Sequence, residues 1–273
     1  MMHERLAFAW FRSFGVPASR TAYVRLTLNG EDYGYYLAVE KENDEYLDQW
    51  WEDDSGSVYE AGSFNWPCDV NYAPGGCFEE DRVGEGDSRE ALERLTIAAH
   101  APDTTWVEVI EEVVDLDAFL RAMAADVLVS HYDDYGWNIN NYRIYHDPSS
   151  DRWYWTPWST DLAFGWYPWM DGPHCGTYGQ TISEYGTGYL LGRCMTIAAC
   201  NDRWHTALGE AADAFEAFDL PGQIAALHEQ TAAQAASDTR RSYGDAALEA
   251  EVACMATWAA QRPAQIRAEL AAY

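Results

Sequence analysis

The apolar residues of this chain change their spacing in blocks, and that change of period limits the folds open to it more than any other feature. At the amino end Leu6, Ala7, Trp10, Phe11 and Phe14 recur at helical spacing and Gly15 supplies a stop, which predicts a packed amphipathic helix. From residue 23 the period drops to two. Val24, Leu26 and Leu28 alternate with Tyr23, Arg25 and Thr27, and Asn29-Gly30 turns the chain. On the return strand Tyr35, Leu37 and Val39 share one face while Tyr36, Ala38 and Glu40 share the other. A short helix over 42–51 and a third strand over 57–61 follow, then an irregular stretch over 62–87 rich in Gly, Asp and Cys. Helical spacing returns over 88–100, 103–113 and 116–131, the last starting after Asp115 as N-cap. The segment NNYRIYHDPSSDRWYWTPW reads as strand, Asp-Pro turn and strand, with Tyr142 and Ile144 opposite Asn141, Arg143 and Tyr145. Past residue 200 the chain is Ala-rich and helical, with Pro221 and Pro263 as boundaries or kinks. These blocks predict a single α+β domain over 1–273 without internal repeats.

Charge narrows the function. Forty-five acids against seventeen bases leave a formal charge of −28, and no basic stripe exists to hold a phosphate backbone, so nucleic acid and anionic lipid are excluded as partners. Lys41 is the only lysine. Any chemistry on phosphate must therefore rest on arginines and metal ions. No uninterrupted apolar run reaches the roughly 18 residues of a membrane span. The opening MMHERLAFAWFRSFG has a short apolar run and no small-residue cleavage site, so it reads as a helix rather than a leader, and a chain that opens inside a helix is expected to have lost upstream sequence.

Six cysteines allow fifteen pairings. Cys68 and Cys77 bracket an acidic Pro- and Gly-containing loop, so a local clip between them is the simplest pairing. No paired C-x2-4-C ligands exist for zinc, and His174 beside Cys175 has no second ligand pair to complete a tetrahedron.

The acids at 133 and 134 are placed oddly. On this reading they fall just past the carboxyl end of a helix, where negative charge costs about 0.3–1 kcal/mol unless a cation sits there. Asn138, Asn140 and Asn141 follow closely, Asp161 lies just after the second strand of the hairpin, and Gly165 permits a sharp turn. Asp, Asn, hairpin, then Asp-x-x-x-Gly is an order that phosphoryl-transfer enzymes use for a base and Mg²⁺ ligands, and oxygen ligands suit a hard cation. Asp and Asn are also the commonest turn formers. His131, beside the candidate base, reads as a capping or packing residue.

Several blocks, in order, resemble the CotH kinase family, the spore-coat-protein-H-like atypical protein kinases. ERLAFAWFRSFGVPASRTAYVRLTLNGEDYGYYLAVE resembles that family's helix, Gly-Val-Pro-Ala linker and Asn-Gly…Tyr-Gly-x-Tyr…Glu hairpin. HYDDYGWNINNYRIY and WYWTPWSTDLAFG resemble its catalytic Asp, its Asn-Tyr strand and its Pro-Trp-Asp-x-Asp metal motif. The resemblance implies a protein-kinase-like fold with a reduced amino-terminal hairpin lobe (1–61), a Cys-rich insertion (62–87), a catalytic core (88–200) and a helical carboxyl-terminal region (201–273). It implies ATP and Mg²⁺ or Mn²⁺ as cofactors and a protein Ser or Thr hydroxyl as acceptor. Asp133 would be the base, Asp161 a catalytic metal ligand, and Asn141 a further ligand with Asn138, five residues after Asp133, its rival. Glu40, Lys41 and Arg143 would lie on the nucleotide side. Cysteine usage and family habit favour an extracytoplasmic, secreted or cell-surface setting.

Two departures weaken the match. Ser159 stands in Pro157-Trp158-Ser159-Thr160-Asp161 where the family has Asp, and Val58-Tyr59-Glu60 occupies the place of a Leu-Tyr-Lys lysine. The family's upstream Arg- and Lys-bearing strand segment precedes the point where this sequence begins, so phosphate contacts are expected to fall to Mg²⁺ and arginines such as Arg25 or Arg143, and ATP binding to be weak or absent. The first alternative is a degenerate pseudokinase serving as a protein or surface binding module. The second is a glycoside hydrolase, in which tryptophans between Trp153 and Trp169 stack on sugar and two carboxylates flank the bond.

Overall fold

A computed structural model describes residues 2–61, 67–72, 77–85, 88–165, 175–176 and 180–273. Helix α1 (Met2–Ser13) ends where Gly15 takes a φ of +76°. Strands β1 (Thr21–Leu28) and β2 (Glu31–Val39) form a two-stranded antiparallel sheet around Asn29-Gly30, both at positive φ. The short α2 (Asp44–Leu47) starts on Asn43, and β3 (Val58–Ala61) follows. The stretch read as irregular contains a strand, β4 (Phe78–Arg82). Its polar sequence FEEDR hid it, because it pairs at a sheet edge where most side chains need no burial.

Helices α3 (Ser88–Ala99), α4 (Trp106–Glu111) and α5 (Leu116–Leu128) come next. Asp115 caps α5 as expected, accepting from the Ala118 N–H at 2.9 Å, a contact worth about 1 kcal/mol. After the one-turn α6 (Tyr135–Asn138), strands β5 (Tyr142–Asp147) and β6 (Arg152–Pro157) form the second hairpin. Helices α7 (Tyr189–Thr196), α8 (Ala198–Phe218), α9 (Leu220–Ser237) and α10 (Asp245–Leu270) complete the chain. Pro221 sits in the first turn of α9, where its missing N–H costs nothing, whereas Pro263 lies inside α10 without ending it. The fold is α+β.

The core explains the arrangement. Helix α5 is apolar on almost every side and is buried on almost every side. It packs on α8, and on it lie α1, through Trp10 donating to the Ala125 carbonyl at 3.1 Å, and β6, through Trp155 edge-on to Phe119. The segments of residues 1–61 go to three places. Helix α1 enters this core; the β1–β2 hairpin meets the end of α9, where Asp238 accepts from the Tyr35 N–H at 3.0 Å; and β3 joins the sheet β4-β3-β5-β6. The register pairs Val24 with Tyr36 and Leu26 with Gly34, leaving that aliphatic face exposed while Tyr23 stacks on Tyr35 beneath. Three disulfides, Cys68–Cys77, Cys175–Cys254 and Cys194–Cys200, pair all six cysteines. Among the described residues no helix is long and apolar enough to cross a membrane.

Candidate functional site

The segment 129–142 is built differently from the sequence reading. Helix α5 stops at Leu128, Ser130 turns the chain at positive φ, and Asp134 is the N-cap of α6, accepting from the Trp137 N–H at 2.7 Å. The two acids therefore do not crowd a helix carboxyl end. Asp134 stands at an amino end, and the argument for a cation from an adverse carboxyl-end dipole falls away.

A different feature replaces it. Three asparagine amides converge on the Asp133 carboxylate: Asn138 donates to Oδ1 at 2.5 Å, Asn141 to Oδ2 at 2.8 Å, and Asn140 reaches both oxygens at 3.2 and 3.3 Å. This cradle fixes the carboxylate plane, and it is half-buried rather than sealed. It is formed at the expense of backbone comfort: Ile139 and Asn141 both take positive φ, which suits Asn but strains a β-branched residue by about 1–3 kcal/mol. Five of the eight non-glycine residues at positive φ in the described chain, Ser130, Ile139, Asn141, Ser159 and Phe164, flank this region. Concentrated strain of this kind marks functional segments.

Asp161 belongs to a second segment laid alongside the first. The Trp158 N–H donates to the Asn141 carbonyl at 3.0 Å at one end, and the Phe164 and Gly165 N–H groups donate to the Val129 and Ser130 carbonyls at 2.5 and 3.1 Å at the other. Residues 158–165 are thus pinned along 129–141, with Asp161 exposed and accepting from the Ser159 hydroxyl at 2.9 Å. Glu4, on α1, faces the same spot: burial, then the Asp161 charge, push its carboxyl up. Glu4 and Asp161 lie near enough for their charges to interact, and a pair of carboxylates is a donor set that suits a hard cation. Among the described residues no three His, Cys, Asp or Glu side chains form a ready-made metal cage. Such a site fits Mg²⁺, which takes one or two protein carboxylates and completes its shell with water and phosphate.

The residues expected on the nucleotide side lie in another network. Arg143 is buried and bonds Glu42 at 2.8 Å and Glu60 at 3.3 Å, with Asp81 at 3.6 Å, while its guanidinium stacks on Trp158 at 3.8 Å. Lys41 is exposed and lies 3.6 Å from the same Asp81. Glu40 accepts from Arg20 and from Gln49, and Arg25 pairs with Asp32. The structure therefore joins Lys41 to Arg143 through Asp81 and sets Glu40 apart with Arg20. Glu42, buried with burial pushing its carboxyl up against the pull of Arg143, went unseen in the sequence. A signal existed: an arginine in the otherwise apolar strand YRIY requires a buried acid.

A buried acid pair lies behind the cradle. Asp126 pairs with His131 Nδ1 at 3.1 Å and lies near Asp134; burial drives both carboxyls well up, with repulsion from Asp126 adding to the rise at Asp134. A narrow cavity lined by Asp126, Asp134, Asn141 and Thr156 has room for about one water. His131 is fully buried and packs, as expected. Of the tryptophans proposed to stack on sugar, Trp153 and Trp155 are core residues and Trp158 covers Arg143. Trp166, Trp169 and His174 lie outside the described residues.

The family model described as CotH kinase protein matches residues 1–266. The chain is 26% identical over 182 residues to Invasin CotH2 of Rhizopus delemar, covering 60% of this chain and 30% of that protein. It is 22% identical over 172 residues to the inner spore coat protein H of Bacillus subtilis, covering 60% of this chain and 47% of that protein. A third relative, Invasin CotH3 of Rhizopus delemar, is 25% identical over 180 residues, 60% of this chain and 30% of that protein. The match thus spans less than half the length of each of these relatives. Because the family model runs from α1 through both hairpins and into α10, taking in Asp133, its asparagines and Asp161, the chain belongs to the CotH kinase family.

Proposed function

We propose that this chain is an atypical protein kinase that transfers the γ-phosphate of ATP to a Ser or Thr hydroxyl of a coat, surface or secreted protein, on a kinase-like α+β fold. The observation that carries this reading is the Asp133 carboxylate held by three amides beside the Asp161 segment, in the order Asp, Asn five residues on, hairpin, Asp. In it Asp133 accepts the hydrogen bond of the acceptor hydroxyl and orients it, and the cradle keeps the carboxylate from turning away. Asp161, with Asn141 or Asn138, holds Mg²⁺ or Mn²⁺, which when bound neutralises phosphate charge that a −28 protein would otherwise repel. Three disulfides support an oxidising, extracytoplasmic setting.

The test is transfer of label from γ-labelled ATP, at millimolar nucleotide with Mg²⁺ or Mn²⁺, to the chain itself and to a panel of Ser- and Thr-containing proteins. Transfer that falls at least 100-fold in Asp133→Ala and in Asp161→Ala supports the reading. One observation favours the binding-module alternative: Ser159 brings a hydroxyl to Asp161 where the family has a second carboxylate. Absence of transfer together with absence of calorimetric Mg·ATP binding decides for that alternative.

A further inference from the structure

Residues 67–72 and 77 reach the segment that carries the asparagines. The Tyr142 hydroxyl donates to the Cys68 carbonyl at 2.6 Å, and the Tyr135 hydroxyl donates to Asp69 Oδ1 at 2.9 Å. Tyr135 begins α6 and Tyr142 begins β5, so the two rings bracket the stretch that carries Asn138, Asn140 and Asn141. They also meet each other edge-on, with centroids 4.8 Å apart. Asp69 Oδ2 accepts from the Tyr189 N–H at 2.8 Å, and the Tyr135 oxygen accepts from the Leu190 N–H at 3.0 Å, which ties the same grip to the start of α7. Cys68, Asp69, Tyr135 and Tyr142 are all buried.

The far end of the loop is anchored too. Cys77 is followed by Phe78, which begins β4, packs edge-on to Tyr142 at 6.2 Å and belongs to the same sheet as β5. The Cys68–Cys77 bond therefore joins the residues gripping Tyr135 and Tyr142 to the sheet that carries Tyr142. Without the bond, only the hydrogen bonds and packing of 67–72 hold them in place.

We infer that residues 67–72, fastened by the Cys68–Cys77 bond, are a clamp on segment 133–142, with Asp69 as its positioning residue, and that the disulfide keeps the asparagine cradle ordered. Its catalytic meaning rests on the kinase reading above; the ordering itself does not. The test is amide hydrogen exchange on the full chain and on Cys68→Ser/Cys77→Ser, Asp69→Ala, Asp69→Asn and Tyr142→Phe variants. Protection over 133–142 falls at least tenfold in the double cysteine variant and in Asp69→Ala, less in Asp69→Asn, which keeps one acceptor, and less in Tyr142→Phe, which loses one hydroxyl. Protection in α8 and α10 stays unchanged. Unchanged protection over 133–142, or an equal loss everywhere, overturns the clamp. If the double cysteine variant does not fold, the single-atom change in Tyr142→Phe decides alone. Where phosphotransfer is measurable, kcat falls with the KM for ATP steady, whereas a loss confined to KM counts against Asp69 as a positioning residue. Local exchange as described with no transfer by any form leaves the clamp standing and removes the kinase reading.

Discussion

Replacing Arg143 with Met leaves Glu42 buried with only the Thr156 hydroxyl at 3.1 Å as a partner, and leaves Glu60 and Asp81 facing it across the lost cation. Met keeps much of the packing on Trp158, so the change reports mainly on charge. Breaking one partner out of a buried pair costs about 3–5 kcal/mol. Linkage sets a separate ceiling. If Glu42 stays protonated in the folded variant and ionises in the unfolded chain near pH 4.3, folding at pH 7 costs about 1.36 × 2.7, or about 3.7 kcal/mol, relative to acid. The parent already carries part of that penalty, because its Glu42 carboxyl is raised by burial. The expected difference at pH 7 is therefore about 3 kcal/mol, a fall of about 1–1.5 M in the urea midpoint followed by tryptophan fluorescence. A carboxyl whose folded value is raised withholds stability above its unfolded value, so the deficit is smallest below about pH 4.3 and grows as pH rises. Adding Glu42→Gln to Arg143→Met removes the charge and recovers most of the loss. A deficit under about 0.5 kcal/mol at pH 7, a deficit constant from pH 4.5 to 7.5, or no recovery with Gln would refute the account of Arg143 as the counter-ion of a buried acid.

Asp69, raised to about 6 chiefly by burial, gives a second pH window: the parent gains about 2 kcal/mol as pH falls from about 6 to about 4, and Asp69→Asn flattens that gain in parallel urea titrations. The disulfides rank by loop length. Opening Cys175–Cys254, 79 residues apart, costs about 4.5 kcal/mol by chain entropy, and opening Cys194–Cys200, 6 apart, about 2.4, an order that thermal melts of the paired Ser variants check. Trp10→Ala removes a fully buried ring between Phe14 and Phe215 and lowers stability by about 3–5 kcal/mol, measured in the same denaturation assay.

What could be read from the sequence was what periodicity encodes. The helix from Leu6 to Phe11, the Asn29-Gly30 hairpin, the cap at Asp115 and the strands either side of Asp147-Pro148 all announce themselves by local spacing, and all are present. Strand β4 and helix α6 were missed because neither has a local pattern: FEEDR owes its pairing to β3, and YGWN owes its turn to the Asp134 cap and to Tyr135 reaching Asp69. The same limit governs the site. Asp133 and Asp161 could be singled out by their order along the chain, but Glu42 lies in a run of acids from Glu40 to Asp54 and is distinguished only by an arginine 101 residues away.

That distance matters for how the site holds together. The cradle on Asp133 is local, made by residues within eight positions. Beyond the local turn on Asp134, its supports come from afar: Asp69 through Tyr135, Cys68 through Tyr142, and Glu42 through Arg143 and Trp158 to the Asn141 carbonyl. A relative that kept Asp133 and its asparagines but lost these long-range partners would keep the motif and lose the geometry. Conversely, the Ser159 departure leaves all three supports untouched. Restoring the family residue with Ser159→Asp puts a second carboxylate beside Asp161 on an otherwise intact scaffold. Mn²⁺ affinity, read by calorimetry, should then rise at least tenfold. No change would refute position 159 as part of a cation site.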